Sequence, residues 1–314
     1  MNNITQQIKS HLHKELGKAV IGIDPYLDMI TINVISGGNL LLTGSPGTGK
    51  TRLSKAIMQV LGQEPIRIDC GNDIEFTNLL HALTAISAQK NNELLYLVGL
   101  NRLTPNTQAI LLPVLEEYQL LNHGEVIKLS HDFCVIATLD PGCFDDTYPI
   151  INALLDRFYL CLSLSHPDAE QQREILKSRD YPAAADTQAH APVLTPLATE
   201  MLVQAREQAR AVTVLDTVYD YLIQIMQSLR HHQDIQVYAS QRGALAVINA
   251  AKIHATLMDR DYVNPDDIQA VIAPTLSHRL QLNSDAIITG VQIDDILTMV
   301  IQQTELPQNA PDEN

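Results

Sequence analysis

The residues whose types and spacing most plainly suggest chemistry lie at 44–51, which read GSPGTGKT. They satisfy the pattern G-x-x-x-x-G-K-[ST], in which glycines let backbone N–H groups converge on phosphate oxygens. The run follows an apolar strand-like segment and opens a predicted helix, whose N-terminus favours anions. The alternative is a glycine-rich turn before an ordinary helix, and the flanking strand and helix make it the weaker interpretation.

This loop predicts that the chain binds ATP together with Mg²⁺. Lys50 would reach the β and γ phosphates, and the Thr51 hydroxyl would bind the metal. The other predicted contacts come from the rest of the loop, namely Gly44, Ser45, Pro46, Gly47, Thr48 and Gly49.

Short apolar runs and intervening helices must position this loop. The runs are continuous rather than alternating, which is typical of parallel strands covered on both faces. They are NLLLTG (39–44), PIRIDC (65–70), ELLYLVGL (93–100), DFCVIATLD (132–140) and FYLCLSL (158–164). Their alternation with helical segments predicts a doubly wound α/β domain with a five-stranded parallel sheet between helical layers.

After Ser165 the pattern becomes helical. A helix over residues 166–180 is followed by a Pro/Ala-rich connection, and from Thr195 onward we expect helices alone. Asn264-Pro265-Asp266-Asp267 is a strong helix-start signal. The predicted division is an α/β domain at 1–178, a linker at 179–195, a helical domain at 196–304 and a disordered tail at 305–314.

Composition excludes several classes of function. The net charge of −15, without a basic run, argues against nucleic acid as a partner. No apolar stretch is long enough to span a membrane, and no secretory signal is visible, so we expect a cytoplasmic protein. The cysteines have neither zinc nor disulfide spacing; they are Cys70, Cys134, Cys143 and Cys161.

Several segments together resemble the MoxR-type members of the AAA+ ATPases. Beyond the phosphate loop, the resemblance lies in NRLTPNTQAILLPVLEE (101–117), FCVIATLDP (133–141), TYPIINALLDRF (147–158) and the long run from residue 240 to 280. The order and approximate spacing of these segments match the family. The resemblance implies a three-layer P-loop NTPase domain followed by a small all-α lid.

The resemblance also implies an assembly and residue roles. Family members form rings, usually of six subunits, with ATP between neighbours. Arg157 would be the arginine finger that reaches the adjacent subunit's site, and Arg242 would contact the γ-phosphate within its own subunit. Ile21 and Gly22 match the adenine-contacting stretch. The partner would often be a von Willebrand factor A-domain protein. By residue type alone, an arginine between a helix and a strand is more often an ordinary surface cation, and the matching segment is what favours a role for Arg157.

The chain departs from the family pattern where hydrolysis depends on it. The strand before Asn101 ends in Asp-Glu in the family, and these places hold Val98 and Gly99 here. Valine cannot ligate Mg²⁺, and glycine cannot act as a base. The sensor-1 position, usually Asn, holds Asp140, an acid that could orient water but would also repel phosphate.

Two further departures from the family pattern bear on whether the protein can remodel a partner. Only 23 residues, from Gly71 to Glu93, separate the second and third strands, so the family's longer insertion with its hairpin is missing. Pro113 lies inside the helix predicted from Pro105, and we expect it to kink that helix.

Two hypotheses therefore stay open. The first is an active ATPase that remodels a protein partner. The second is a nucleotide-binding switch or structural ring subunit that binds ATP and hydrolyses it poorly. The intact phosphate loop supports both, and Val98-Gly99 favours the second.

Overall fold

A computed structural model describes residues 3–71, 76–88, 94–122, 125–130, 132–142, 147–178 and 192–307. Its main sheet has five strands, all paired in parallel, in the order β2-β3-β6-β1-β7. They are β1 (Leu40–Thr43), β2 (Ile66–Asp69), β3 (Leu94–Val98), β6 (Cys134–Leu139) and β7 (Leu160–Ser163). The five predicted strands and the fold class are confirmed.

Helices cover this sheet. They are α1 (Ile4–Ala19), α2 (Leu27–Ser36), α3 (Lys50–Val60), α4 (Phe76–Ala88), α5 (Pro105–Glu117), α6 (Asn152–Leu155) and α7 (Ala169–Ser178), with 3-10 turns at Asp24–Tyr26 and Leu100–Arg102. As predicted, Thr104 caps α5, and its side chain accepts a hydrogen bond from the Thr107 N–H. Pro113 lies inside α5, which continues to Glu117.

A small hairpin follows α5 and was not predicted. Strands β4 (Gln119–Asn122) and β5 (Glu125–Lys128) pair antiparallel to each other. The sequence carries a weak signal for it, since the short runs QLLN and EVIK each hold two apolar residues and are separated by His123-Gly124. Between β2 and β3 the described residues form α4, and residues 72–75 and 89–93 lie outside the described part.

The C-terminal part is mainly helical. Its helices are α8 (Thr199–Ala211), α9 (Asp216–His231), α10 (Gln241–Leu257), α11 (Pro265–Leu276), α12 (Ser284–Ile288) and α13 (Ile293–Gln303), with a 3-10 turn at Ser277–Arg279. The expectation of helices alone was wrong in detail, because β8 (Ile235–Val237) pairs antiparallel with β9 (Gln281–Leu282). The first helix begins at Thr199 rather than Thr195. Residues 179–191 of the predicted linker, and 308–314 of the predicted tail, lie outside the described residues.

The N-terminal helices join the two parts. Helices α1 and α2 both pack against α8 and α10, and one buried apolar cluster contains Ile8, Leu42, Ala250 and Ile272. A second cluster lies between the β2–β3–β6 side of the sheet and helices α4 and α5. Across the described residues, no helix is long and apolar enough to cross a membrane.

A buried polar network fixes the start of α11. Asp267 is fully buried; its carboxylate lies 2.6 Å from His254 Nδ1 and accepts two 2.8 Å hydrogen bonds from Arg260. It also closes a capping box with Asn264. Burial alone raises the pKa of a carboxyl, but the hydrogen bonds from His254, Arg260 and the Asn264 backbone outweigh it, and the pKa of Asp267 is lowered.

We expect Asp267→Asn to lower the free energy of unfolding by about 3 kcal/mol, because it leaves the Arg260 charge without its buried partner. Urea denaturation near neutral pH measures this. Asp266→Asn, an exposed neighbour in the same helical turn, should cost less than about 1 kcal/mol. Since the pKa of Asp267 is depressed, its contribution is complete above about pH 4 and declines as the pH falls further. A difference between wild type and Asp267→Asn that grows on acidification would contradict this account.

Candidate nucleotide site and arginine cluster

The predicted phosphate loop connects β1 to α3 in a backbone conformation that requires glycine. Gly44 has φ 148°, and a Cβ there would lie 2.5 Å from the carbonyl oxygen of Leu164. Gly47 and Gly49 also have positive φ, and Gly49 is the residue just before α3. The loop therefore surrounds the N-terminus of α3, where free N–H groups and the helix dipole favour phosphate.

Lys50 lies on this loop with its ammonium turned inward. Its Nζ donates hydrogen bonds to the carbonyl oxygens of Gly44 and Ser45, the latter at 2.9 Å. Partial burial lowers the pKa of Lys50, and the charge of Asp140 acts in the opposite direction. The ammonium is therefore held at the loop, within the electrostatic reach of Asp140.

The predicted adenine-contacting residues lie beside the loop. Ile21 and Gly22 line one cavity together with Gly47, Thr48 and Gly49. A Cβ on Gly22 would meet the amide of Gln171 at 2.8 Å, so α7 closes this side. Sequence reasoning did not single out Tyr26, Gln171 and Ile175, which also line the cavity. Tyr26 follows Ile21 and Gly22 in the same stretch, whereas Gln171 and Ile175 come from α7, which has no recognisable ligand pattern.

The end of β3 presents no carboxylate to this site. Gly99 follows the strand with φ 78° and ψ 58°, and its N–H donates to the Thr138 hydroxyl at 3.0 Å. A residue with a Cβ is strained in this conformation by about 1 kcal/mol or more. The backbone at this point therefore suits glycine, and an acid could not replace it without strain.

The donor set fits a nucleotide phosphate better than a fully ligated metal. The loop and Lys50 provide donors for anions, whereas the hydroxyl of the exposed Thr51 is the nearest predicted metal ligand. Within the described residues, no group of three His, Cys, Asp or Glu side chains is arranged to hold a metal ion. Water and phosphate oxygens would have to complete the coordination of Mg²⁺, which commonly retains several waters.

Asp140 lies just beyond β6, the strand between β1 and β3. Its Oδ1 accepts the N–H of Gly142 at 3.2 Å, and its carbonyl accepts the amide of Asn101 at 3.0 Å. The Asn101 bond ties the segment after β3 to the segment after β6. Asp140 is thus fixed at the same edge of the sheet as the phosphate loop.

Arg157 and Arg242 meet in a cluster with two acids. Glu116 accepts from Arg157 at 2.6 Å and from Arg242 at 3.0 Å. Asp156 lies 3.4 Å from Arg157 and 3.3 Å from Arg242, and it also accepts from Arg279 at 3.0 Å. We call these five residues the arginine cluster. They border a cavity of about 290 Å³.

Two side-chain amides position the backbone of this cluster. The half-buried Asn39 donates to the carbonyl of Arg157 at 3.0 Å and accepts the N–H of Val135 at 2.8 Å. Gln108, fully buried, donates to the carbonyl of Pro149 and accepts the N–H of Ile151. The segment that leads to Arg157 is therefore held by one side chain just before β1 and one from α5.

The helical part contributes its own anchors. Arg279, whose side chain is 2% exposed, donates to the carbonyl of Phe158 at 2.6 Å, and His278 Nε2 lies 3.0 Å from the same oxygen. Burial, followed by the charge of Arg279, lowers the pKa of His278 to about 3, so this imidazole is neutral at physiological pH. These contacts bind the end of α11 to the start of β7.

The arginine cluster lies at the opposite edge of the sheet from the phosphate loop. Asn39 and Arg157 precede β1 and β7, whereas Gly44 follows β1. The four residues of β1 span about 13 Å. The resemblance implied that Arg242 contacts phosphate in its own subunit, which stays a prediction; here α10 places Arg242 against Asp156 and Glu116.

Comparisons with known proteins agree with this geometry. Residues 39–160 match the family model described as ATPase family associated with various cellular activities (AAA), and residues 227–300 match the AAA lid domain model. A putative ATPase from Cytophaga hutchinsonii superposes with a TM-score of 0.79 over 96% of both chains, at 23% identity. The fold and loop thus define a P-loop NTPase of the AAA+ class.

Sequence relatives place the chain more narrowly. The uncharacterized protein YeaC of Bacillus subtilis is 30% identical over 94% of this chain and 96% of its own length. Chaperone MoxR1 of Mycobacterium tuberculosis is 27% identical over 94% of this chain and 81% of its own, and protein MoxR of Methylorubrum extorquens is 23% identical over 95% of each. The chain belongs to the MoxR-type family of AAA+ ATPases.

We expect Asp156→Asn to lower the free energy of unfolding by about 2 kcal/mol, since it weakens the pairing of a nearly buried guanidinium at Arg279. Thermal and urea unfolding both report it. Glu116→Gln, in the same cluster but more exposed, serves as the control and should cost less than about 1 kcal/mol. Equal losses for the two variants would show that Asp156 has no special part in joining the helices to the sheet.

Proposed function

We propose that this chain is an ATP-binding ring subunit that hydrolyses ATP slowly and acts in a chaperone-like way on a protein partner. The observation that carries the proposal is that the phosphate loop and the arginine pair lie at opposite edges of one sheet. A complete phosphate loop lies at one edge, where the end of β3 lacks its acids, and a pair of arginines lies at the other.

The phosphate loop is the proposed binding site for ATP. Backbone N–H groups from Gly44 to Thr51 would surround the phosphates, and Lys50 would leave the loop carbonyls to pair with the β and γ phosphates. Ile21 and Gly22 would border the base. The Thr51 hydroxyl would contribute one ligand to Mg²⁺, with phosphate oxygens and water as the others.

The two arginines are the proposed contacts to a neighbouring copy. Arg157 and Arg242 are separated from their own phosphate loop by the length of β1, so a nucleotide bound there is beyond their reach. A second copy of the chain could bring its own nucleotide against them. This arrangement supports a closed ring, with six copies as the family resemblance implies. We extend the assignment of Arg157 as an arginine finger to Arg242, acting on the same neighbouring site.

The chaperone-like role rests on relatives. Chaperone MoxR1 carries that description across a nearly full-length match, and the client proposed here is a protein, with a von Willebrand factor A-domain as the family-based candidate.

The second candidate, a structural ring subunit or switch that does not hydrolyse, is favoured by one observation. Gly99 has a backbone conformation that disfavours the missing glutamate.

The first test is ATP binding and assembly. We expect wild type to bind ATP and to form larger oligomers in its presence, and Lys50→Ala to lose both, because the cation that pairs with the phosphates is gone. Calorimetry and sedimentation velocity measure the two effects. Lys55→Ala, an exposed lysine on the same helix, is the matched control and should behave as wild type. Equal ATP affinity of Lys50→Ala and wild type would refute the assigned site.

The second test is turnover. Without a carboxylate at the end of β3, hydrolysis should be at least about 10²-fold slower than in an enzyme with a positioned base. Asp140 is fixed near Lys50 at the same edge, and we propose that it orients the attacking water. Asp140→Asn should therefore abolish the residual turnover while ATP affinity stays equal or improves slightly.

The control for this test is Asp132→Asn, an exposed acid just before the start of the same strand, at the end opposite to Asp140. It should leave turnover unchanged. Wild-type turnover of about 1 s⁻¹ or more, unaffected by Asp140→Asn, would mean that the catalytic acid lies elsewhere.

A further inference from the structure

The two carboxylates of the arginine cluster have different surroundings. The side chain of Asp156 is 18% exposed and is also bonded to Arg279 and to the Ser240 hydroxyl. The side chain of Glu116 is 40% exposed. Among the described residues, its ion pairs are those with Arg157 and Arg242. Asp156 is therefore part of the fold, whereas Glu116 is bound through the two arginines alone.

The position of Glu116 on its helix is electrostatically unfavourable. It lies in the last turn of α5, where the helix dipole and the free carbonyl groups disfavour an acid. Glu117, its exposed neighbour, has the same disadvantage and forms no ion pair in the described part of the chain. The two arginines thus account for the location of the Glu116 side chain.

Charge determines what this contact does to an incoming anion. Arg157 and Arg242 share Glu116 and Asp156, and Asp156 is also paired with Arg279, so the three arginines and two acids of the cluster carry one net positive charge. Glu116 is the acid that pairs with Arg157 and Arg242 alone. Without its charge the cluster carries two net positive charges, presents two guanidinium groups side by side and attracts phosphate more strongly.

We propose that Glu116 is a displaceable counter-ion for the arginine pair. In the free subunit it holds Arg157 and Arg242 together and offsets part of their charge. When a second copy docks, the phosphate of that copy's nucleotide replaces Glu116 on the two guanidinium groups. The inference rests on the proposed function, since it needs the arginines to act on a neighbouring copy.

This exchange makes assembly dependent on nucleotide. A neighbour with an empty phosphate loop offers nothing to replace Glu116, so the arginines stay paired with it. A neighbour with bound ATP supplies the competing anion. Displacing Glu116 opposes assembly even when nucleotide is bound, and the phosphate offsets that cost. Asp156 stays in place throughout, because Arg279 and Ser240 hold it from the other side.

The experiment compares assembly of purified full-length variants by sedimentation velocity, with saturating ATP and Mg²⁺. The measured quantity is the protein concentration at half-assembly. Glu116→Gln should lower it by up to about fivefold, the worth of one exposed ion pair. Glu117→Gln, which makes the same charge change one residue away, should match wild type. Glu116→Ala should act in the same direction as Glu116→Gln, because the effect comes from charge.

The outcomes separate this inference from the proposed function. In one outcome Arg157→Ala fails to assemble, while both Glu116 variants assemble no more tightly than wild type. Glu116 is then not a displaceable counter-ion, and the arginine assignment stands. If Arg157→Ala assembles as wild type does, the role of the arginines between copies is wrong, and the inference about Glu116 falls with it. Tighter assembly of both Glu116 variants, together with loss in Arg157→Ala, supports both.

Discussion

The carboxylate of Asp156 is the contact on which the arrangement of this molecule depends most. It lies where α6 ends, one residue before Arg157, and it accepts hydrogen bonds from Ser240, Arg242 and Arg279. Burial lowers the pKa of the Arg279 guanidinium, and the charge of Asp156 opposes this effect. A nearly buried cation without that partner would be costly. One carboxylate therefore fixes the helical part against the sheet and places two arginines side by side.

The parallel sheet gives this arrangement its direction. Because every strand runs the same way, the loops after the strands gather at one edge and the loops before them gather at the other. The phosphate loop and Asp140 lie at the first edge, and Asn39 and Arg157 lie at the second. Residues that would act on the same phosphate thus belong to different copies, which is the physical basis for proposing a ring.

The end of β3 shows how this chain differs from the family pattern. Two acids of the family pattern are replaced by Val98 and Gly99, and the backbone also has a local structure of its own here. Gly99 is left-handed, and its N–H donates to the Thr138 hydroxyl. Binding and hydrolysis depend on different parts of the site. The loop that would bind phosphate is complete, whereas the strand that would activate water is followed by a glycine in place of the acid.

The sequence alone determined the fold class, the five strands, the phosphate loop and the absent acids. Local rules were sufficient there, since continuous apolar runs, glycine spacing and helix caps act over a few residues. The partners of Arg242 could not be read from the sequence, because Asp156 and Glu116 lie 86 and 126 residues away in the chain. The β4–β5 hairpin and the small β8–β9 sheet were missed because short strands with little apolar periodicity are stabilised by their neighbours. Tertiary structure alone decided that Arg157 and Arg242 share two carboxylates, because that contact joins side chains from α5, from α10 and from the segment that follows α6.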